Sequence, residues 1–222
     1  YRVRIFTLAG ELAFAGHPTL GSCHAWLSTG ATSKQNDVVI QECGAGLISL
    51  RKGDQLAFAA PPLLREGSVD DGYIAQVAAV LGIDRREIVD IAWVDNGPGW
   101  VGVLLEDADA VLALEPDISR YEGEGQVFIG VMGPHGDGGE VAYEVRAFFP
   151  DGRGNLVEDP VTGSLNASLA QWSLQTGRVT APYVAAQGTA IRRKGRIDIT
   201  QGSDGTIWVG GSTVTLVNGE IR

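Results

Sequence analysis

Short segments in which apolar and polar residues alternate run through most of the chain. A period of two is typical of β-strands that bury one face, and residues 1–6 alternate as in a strand already in progress at the first residue. Further segments with this pattern are also predicted to be strands. They are residues 37–42, 46–51, 55–59, 91–94, 100–105, 126–132, 141–149, 197–200, 207–209 and 213–217.

Other segments have the spacing of α-helices, and these are residues 18–28, 70–82, 107–114 and 164–175. In the second of them, Ile74, Val77 and Leu81 fall on one helical face, as expected for a helix that packs on a sheet. Pro18 suits a first helical turn, because the N–H that proline lacks would have no partner there. Interleaved strands and helices of this kind predict an α+β fold.

One pattern of residues occurs twice, 142 positions apart. The first copy is Arg4-Ile5-Phe6 followed by Gly16-His17-Pro18-Thr19-Leu20-Gly21-Ser22, and the second is Arg146-Ala147-Phe148 followed by Glu158-Asp159-Pro160-Val161-Thr162-Gly163-Ser164. In each copy, a strand leads to a glycine-containing turn that opens a helix. When the copies are aligned without a gap, His17 and Asp159 occupy the same position before the shared proline.

The duplication and the length of 222 residues predict two pseudo-symmetric domains. Pro116 follows the third predicted helix and ends it, so we place the boundary after Asp117. The domains would then span residues 1–117 and 118–222, and the last strands would be free to cross back to the first domain. Each domain would surround one glycine-opened helix with strands.

Composition and charge argue against several classes of protein. The net charge of −10 is unlike that of a nucleic-acid binder, and the basic cluster at residues 192–196 is predicted to be a solvated turn. No apolar run approaches the roughly 20 residues of a membrane span, and no signal-peptide pattern occurs. Cys23 and Cys43 are too few for a disulfide framework, and we expect them to be reduced packing residues. The sequence therefore predicts a cytoplasmic protein.

The two glycine-containing turns carry the candidate chemistry. Backbone N–H groups at a helix start bind anions, so those near Gly16 and Gly163 are suited to hold a carboxylate. His17 and Asp159 are suited to acid/base catalysis beside it, and together they favour removal of a proton near a carboxylate and its return elsewhere. The alternative is that Asp159 only caps the second helix and that His17 is a capping or core histidine.

Other chemistries have weaker support in the sequence. His17, His24 and His135 show no metal-ligand spacing with the cysteines, so no metal is predicted. Ser164 follows a glycine at a helix start, but no histidine adjoins it in the sequence, and a nucleophilic role is not favoured. Neither a Walker loop nor a dinucleotide-binding fingerprint occurs, and the sequence predicts no cofactor.

The two glycine motifs resemble those of the PhzF family of phenazine biosynthesis, whose members share the fold of diaminopimelate epimerase. The residues that carry the resemblance are Arg4-Ile5-Phe6-Thr7, Glu11-Leu12-Ala13-Phe14-Ala15-Gly16-His17-Pro18-Thr19-Leu20-Gly21 and Glu158-Asp159-Pro160-Val161-Thr162-Gly163-Ser164, with weaker similarity at residues 96–98, 187–188, 193–197 and 209–211. The order and spacing of these motifs match almost from end to end.

The resemblance implies two similar domains, each a barrel-like, mostly antiparallel sheet around a central helix, with the site in the cleft between them. It implies a cofactor-independent, homodimeric isomerase that acts on a small carboxylate. The best-known member moves a hydrogen in dihydro-3-hydroxyanthranilate, whose enol then tautomerises to a ketone. By the family's motifs, His17 and Asp159 are the catalytic residues. The substrate-binding residues, predicted from the motifs and the helix starts, are Gly16, Thr162, Gly163 and Ser164.

One departure from the family and one difference from the racemases of the same fold bear on this expectation. The family's main acid/base glutamate lies in a segment that precedes the strand at Arg4, and Glu11 belongs to a different motif and does not replace it. We therefore expect little or no activity unless that segment is supplied by a longer chain or a separate one. The racemases of this fold place a cysteine before each helix-opening glycine, where the gapless alignment has Leu20 and Thr162, so racemisation by two thiols is not expected.

The sequence leaves two classes of function open. One is the isomerase, and the other is a protein of the same fold that binds a small carboxylate without converting it. A purely structural role is the least favoured, because it would leave the matched turns unexplained.

Overall fold

The computed structural model describes residues 1–7, 10–35, 37–151 and 153–219. Its helices are α1 (Gly16–Ser28), α2 (Asp71–Leu81), α3 (Ala108–Leu112) and α4 (Gly163–Gln175), and short 3₁₀ turns lie at Arg85–Glu87, Ile118–Arg120 and Thr189–Ile191. Its strands are β1 (Ile5–Phe6), β2 (Glu11–Leu12), β3 (Val38–Cys43), β4 (Gly46–Arg51), β5 (Leu56–Ala59), β6 (Arg65–Ser68), β7 (Asp90–Asp95), β8 (Trp100–Leu104), β9 (Phe128–Pro134), β10 (Tyr143–Pro150), β11 (Leu156–Glu158), β12 (Tyr183–Gln187), β13 (Gly195–Gln201) and β14 (Ile207–Gly211). The predicted α+β class is confirmed.

Most strands belong to one large sheet. Eleven strands follow the order β3-β4-β5-β14-β13-β12-β10-β9-β8-β7-β6, and β11 pairs with β10 as the twelfth strand of the sheet. Strands β1 and β2 form a separate hairpin. Among the strand pairs of the described residues, β10–β12 and β8–β9 are parallel and the others are antiparallel. Strand β14 pairs with β5, so the sheet continues from one half of the chain into the other. The domain boundary after Asp117 stays a prediction.

Helix α4 lies deep in the protein: ten of its thirteen residues are buried, against four of thirteen in α1. Two glycines allow it to approach the sheet closely. A Cβ atom at Gly130 of β9 would lie 2.1 Å from Cδ1 of Leu165, and one at Gly102 of β8 would lie 3.0 Å from Cδ2 of Leu169. Because no side chain fills these two positions, both leucines pack directly onto the strands and hold α4 in place.

The structure differs from the prediction where strands are short. Of residues 1–6, only Ile5–Phe6 is a regular strand, and Arg2 makes an isolated parallel bridge to Glu42. Strands β2, β6, β11 and β12 were missed, and each has between two and five residues. Their short sequences do not show the alternation of apolar and polar residues on which a strand prediction rests.

The strand predicted at residues 213–217 is wrong. This segment has no ladder partner in the described part of the chain, although Thr213 and Thr215 both hydrogen-bond to the ring of His24. Their apolar neighbours are exposed to solvent, with Val214 at 76%. The alternation indicates an extended segment, but it does not supply the neighbouring strand that a sheet requires.

The two copies of the repeated motif begin with the same hairpin. Phe6 of β1 lies opposite Glu11 of β2, and Phe148 of β10 lies opposite Glu158 of β11. In both copies the glutamate accepts two hydrogen bonds from an arginine, from Arg4 to Glu11 at 2.9 and 2.8 Å and from Arg146 to Glu158 at 3.1 and 2.7 Å. The two copies therefore resemble each other in structure as well as in amino-acid sequence.

The register of the repeat changes inside this hairpin. Four residues separate Phe6 from Glu11, but nine separate Phe148 from Glu158, so the second hairpin is five residues longer. Helices α1 and α4 have the same length and begin at Gly16 and at residue 163, which are 147 rather than 142 positions apart.

This change corrects the predicted equivalence of His17 and Asp159. His17 is the second residue of α1, and the second residue of α4 is Ser164, whereas Asp159 lies before α4 begins. An alignment without gaps cannot locate a difference in length between two hairpins, so it matched the wrong positions.

Candidate active site

The N-termini of α1 and α4 touch through their first residues. A Cβ atom at Gly16 would lie 2.5 Å from the Cα atom of Gly163, and one at Gly163 would lie 2.6 Å from the Cα atom of Gly16. Atoms that are not bonded do not approach so closely, so a side chain at either position would push the helices apart. Neither helix start has a side-chain cap. The first-turn N–H groups and the positive dipole ends of both helices therefore converge at this junction.

His17 and Asp159 come together at the junction, although not as matched positions of a repeat. His17 is exposed on the first turn of α1, and Asp159 is half-buried in the loop before α4. They are close enough for the charge of the imidazole to act on the carboxyl group and favour its ionised form, which lowers its pKa. One acid/base group from each half of the chain thus lies near the junction.

The environment of Asp159 favours its protonated form. Burial raises the pKa of the carboxyl group, and the hydrogen bond from Thr162, the charge of His17 and the N–H of Val161 oppose this without cancelling it. The hydroxyl of Thr162 donates to Oδ2 of Asp159 at 2.7 Å. The N-cap residue of α4 is Thr162, so the alternative in which Asp159 caps this helix is wrong.

Ser164 is buried at the start of α4 and held by two side chains. Its hydroxyl oxygen accepts a hydrogen bond from Nε1 of Trp100 at 3.3 Å, and its carbonyl oxygen accepts one from Nδ2 of Asn96 at 2.9 Å. Among the described residues, no histidine hydrogen-bonds to the Ser164 hydroxyl. The serine therefore lacks the base that a nucleophile would need.

A cavity of about 530 Å³ opens beside the junction. Three of the predicted site residues line it, and these are Gly16, His17 and Gly163. The other three are next to lining residues in the sequence but are not part of the wall, and these are Asp159, Thr162 and Ser164. Most of the wall is apolar, with contributions from Leu20, Phe58 and Val209.

The ionisable side chains in the cavity wall are basic. His17 is joined there by Lys194 and Arg196, and no carboxylate lines the described wall. The Nε atom of Arg196 is buried without a hydrogen-bond partner. The interpretation of residues 192–196 as a solvated turn missed that two of them reach the cavity. The weak family similarity at residues 193–197 was the signal that pointed to them.

Gln187 is a buried neighbour of the site that sequence reasoning did not assign. It ends β12, is fully buried, and hydrogen-bonds to both Asp159 and Thr162. Gly188 follows it, and a Cβ atom there would lie 2.7 Å from the carbonyl oxygen of Pro160. The close approach of this strand end to residues 159–162 depends on that glycine. The similarity at residues 187–188 was the signal in the sequence.

No thiol stands at either helix start. Helix α1 opens at Gly16, so the residue before its first glycine is Ala15 and not Leu20, which lies inside the helix. Cys23 and Cys43 are both free, and Cys23 is fully buried. The residues before the two helix-opening glycines are Ala15 and Thr162, and neither is a cysteine. Racemisation by two thiols is therefore still not expected.

The described residues form neither a metal centre nor a membrane span. Within the described residues, no group of three or more His, Cys, Asp and Glu side chains is placed to hold a metal ion. Every helix in the described ranges is too short or too polar to cross a lipid bilayer.

The chain belongs to the family described as phenazine biosynthesis-like protein, whose family model matches residues 1–219. Several relatives are named as isomerases. The chain is therefore a member of the PhzF-like family, several of whose proteins carry isomerase names.

Three individual relatives illustrate this similarity. Antisense-enhancing sequence 1 of Schizosaccharomyces pombe is 31% identical over an alignment of 239 positions, which covers 99% of this chain and 79% of that protein. The trans-2,3-dihydro-3-hydroxyanthranilate isomerase of Pseudomonas fluorescens is 29% identical over 197 residues, which cover 86% of this chain and 66% of that protein. The crystal structure of a PhzF-family phenazine biosynthesis protein from Bacillus anthracis has a TM-score of 0.74 at 19% identity, covering 95% of this chain and 77% of that one, and it shows the shared fold.

Proposed function

We propose that this protein is a cofactor-independent isomerase that moves a proton on a small carboxylate-bearing substrate, with His17 and Asp159 as the acid/base pair. One observation carries the proposal. The helix starts touch through Gly16 and Gly163, His17 lines the cavity beside them, and the charge of His17 acts on the nearby carboxyl group of Asp159, whose pKa is raised by burial.

The charge of the cavity supports an anionic substrate. The protein has a net charge of −10, yet the ionisable residues in this wall are His17, Lys194 and Arg196. The uncapped helix starts add N–H donors at Gly16 and Gly163. The volume is within the range of about 300–1,000 Å³ that small-molecule sites have, and the apolar wall suits the carbon skeleton of such a ligand.

An isomerisation needs one group that removes a proton and one that returns it. The raised pKa of Asp159 lets its carboxyl group hold a proton closer to neutral pH than an exposed aspartate does, which suits a proton donor. Imidazole is the side chain most suited to exchanging protons near neutral pH, and His17 supplies one. The N–H groups of both helix starts would stabilise the negative charge that develops when the proton leaves the substrate.

We also infer that the site lies in a cleft between two pseudo-symmetric halves, each a barrel-like sheet around α1 or α4. The shared hairpins and the equal helices support this. A further match is that a buried glutamine bonds the fourth residue of each helix, Gln41 to Thr19 of α1 and Gln187 to Asn166 of α4. A homodimer stays an expectation from the family.

One observation favours the alternative, a protein that binds a carboxylate without converting it. Asp159 is not part of the cavity wall, and one of its carboxyl oxygens already accepts a hydrogen bond from Thr162. A binding protein needs the cations and helix starts but no group that transfers a proton. Turnover therefore separates the two functions, whereas binding alone does not.

The test is deuterium incorporation by the full-length protein in deuterated water. The first probe is trans-2,3-dihydro-3-hydroxyanthranilate, which the name of the Pseudomonas fluorescens relative suggests, followed by a panel of small carboxylates. We expect mass spectrometry to show incorporation into at least one of them, and Asp159→Asn to lower the rate by roughly 10²–10⁴-fold.

The matched control is Asp137→Asn, which removes an exposed carboxylate from the loop after β9. This variant should keep the unsubstituted rate. Binding across the panel without any incorporation would overturn the isomerase and favour the binding protein.

A further inference from the structure

The side chain of Gln187 uses its whole hydrogen-bonding capacity around Asp159. Its Oε1 atom accepts from the N–H of Thr162 at 3.0 Å and from Nδ2 of Asn166 at 2.8 Å. Its Nε2 atom donates to the carbonyl oxygen of Asp159 at 2.9 Å and to Oγ1 of Thr162 at 2.9 Å. An amide has two donor hydrogens and two acceptor lone pairs, so none is left over.

The orientation of this amide follows from its backbone partners. The N–H of Thr162 can only donate, so it must face the oxygen of the amide, and the carbonyl of Asp159 can only accept, so it must face the nitrogen. The assignment of the two ends of Gln187 therefore does not depend on telling oxygen from nitrogen by their positions alone.

The fixed amide in turn determines where the hydroxyl hydrogen of Thr162 points. Oγ1 of Thr162 has two hydrogen-bond partners, Nε2 of Gln187 and Oδ2 of Asp159 at 2.7 Å. Because Nε2 is a donor, the hydroxyl can only accept from it, and its own hydrogen must go to Oδ2. This oxygen of Asp159 is thus held as an acceptor.

We propose that Gln187 is a positioning residue that fixes the direction of the Thr162–Asp159 hydrogen bond and so reserves Oδ1 of Asp159 as the oxygen that carries the transferable proton. The inference rests on the proposed function, in which Asp159 exchanges a proton with the substrate. A proton on Oδ1 leaves the bond from Thr162 intact. A proton on Oδ2 that pointed at Thr162 would clash with the hydroxyl hydrogen of Thr162, because Nε2 of Gln187 already forces that hydrogen to point at Oδ2.

Gln41 provides a matched control in the first half of the chain. It is as fully buried as Gln187, its Nε2 atom donates to Oγ1 of Thr19 at 3.1 Å, and its Oε1 atom accepts from the hydroxyl of Tyr1 at 2.7 Å. No carboxyl group takes part in these bonds. A change at Gln41 therefore disturbs the protein in a similar way without touching the orientation of Asp159.

The test is a pH titration of the Asp159 carboxyl carbon by NMR, without ligand, in the unsubstituted protein, Gln187→Met and Gln41→Met. Without Nε2 of Gln187, the Thr162 hydroxyl is free to accept from a protonated carboxyl, which stabilises the acid. The pKa of Asp159 should therefore rise by about 0.5–1 unit in Gln187→Met and stay unchanged in Gln41→Met. No rise in Gln187→Met, or an equal rise in both variants, would overturn the proposal.

A second measurement needs no variant and applies even if Gln187→Met does not fold. In a neutron diffraction structure of the unsubstituted, deuterium-exchanged protein, we expect deuterium on Oγ1 of Thr162 directed at Oδ2 of Asp159. Deuterium on Oδ2 directed at Thr162 would contradict the inference. Both measurements are made without substrate, so they can succeed in a protein that binds without isomerising, and deuterium incorporation tests the function separately.

Discussion

Asp159 shows most clearly how single residues shape this site. Its carboxyl group is half-buried, and the loss of hydration raises its pKa above the ordinary aspartate value of 3.8. Thr162, His17 and Val161 favour the ionised form, but burial outweighs them. Ionising this group in the folded protein costs free energy, which is typical of residues kept for proton transfer rather than for stability.

The sign of this shift predicts the effect of Asp159→Asn on stability. A raised pKa contributes stability below the ordinary value, and that contribution is lost as the pH rises through the folded-state pKa. At neutral pH the buried charge is therefore unfavourable, and Asp159→Asn should raise the free energy of unfolding. The difference in stability between the variant and the unsubstituted protein should shrink as the pH falls below 3.8, where Asp159 is protonated in both the folded and the unfolded state. Denaturant titrations at several pH values measure it.

Asp84 provides the opposite case as a control. Hydrogen bonds from Arg86 lower the pKa of Asp84 to about 2, so its contribution to stability is present at neutral pH and lost in acid. Asp84→Asn should therefore leave the protein slightly less stable at neutral pH. If Asp159→Asn also destabilises the protein at neutral pH, burial does not dominate the environment of Asp159.

Among the elements, α1 and α4 place the site by the contact between their first residues. Gly16→Ala would put a Cβ atom 2.5 Å from the backbone of Gly163. The helices must then separate, and we expect a loss of about 1–3 kcal/mol in the free energy of unfolding, as is usual for overpacked sites. Carboxylate probes should also bind more weakly, because the two helix starts no longer converge.

Gly21→Ala is the control for this substitution on the same helix. Gly21 is exposed inside α1, and nothing lies within 4 Å of a Cβ atom there. Replacing a glycine in a helix interior with alanine should stabilise the protein by about 0.5–1 kcal/mol. Denaturation midpoints that move in the same direction for Gly16→Ala and Gly21→Ala would show that the helix starts do not touch as described.

For the whole molecule, much of the fold could be predicted because its signals are local. The four helices and most of the longer strands follow from periodicity, and the α+β class follows from their order. Residues 213–217 show the limit of this reasoning. Their alternation is real, but whether a strand forms depends on a partner elsewhere in the sheet, which no local pattern reveals.

The candidate site could be predicted in part. The glycine motifs led to Gly16, His17, Asp159 and Gly163, which the structure brings to one junction. The predicted equivalence of His17 and Asp159 was wrong, because the extra residues in the second hairpin shift the register. The weak family similarity at residues 187–188 pointed to Gln187 but not to its role, since that role depends on hydrogen bonds between distant parts of the chain.

The most direct test of the shared acid/base pair is a double-mutant cycle on deuterium incorporation by the full-length protein, with His17→Gln, Asp159→Asn and both together. If both groups serve the same proton transfer, removing the second one after the first has little further effect on the rate. We therefore predict that each single substitution lowers the rate by roughly 10²–10⁴-fold and that the double variant is about as slow as the slower single one. Effects that multiply in the double variant, or a single variant that keeps the unsubstituted rate, would show that His17 and Asp159 do not act on one substrate.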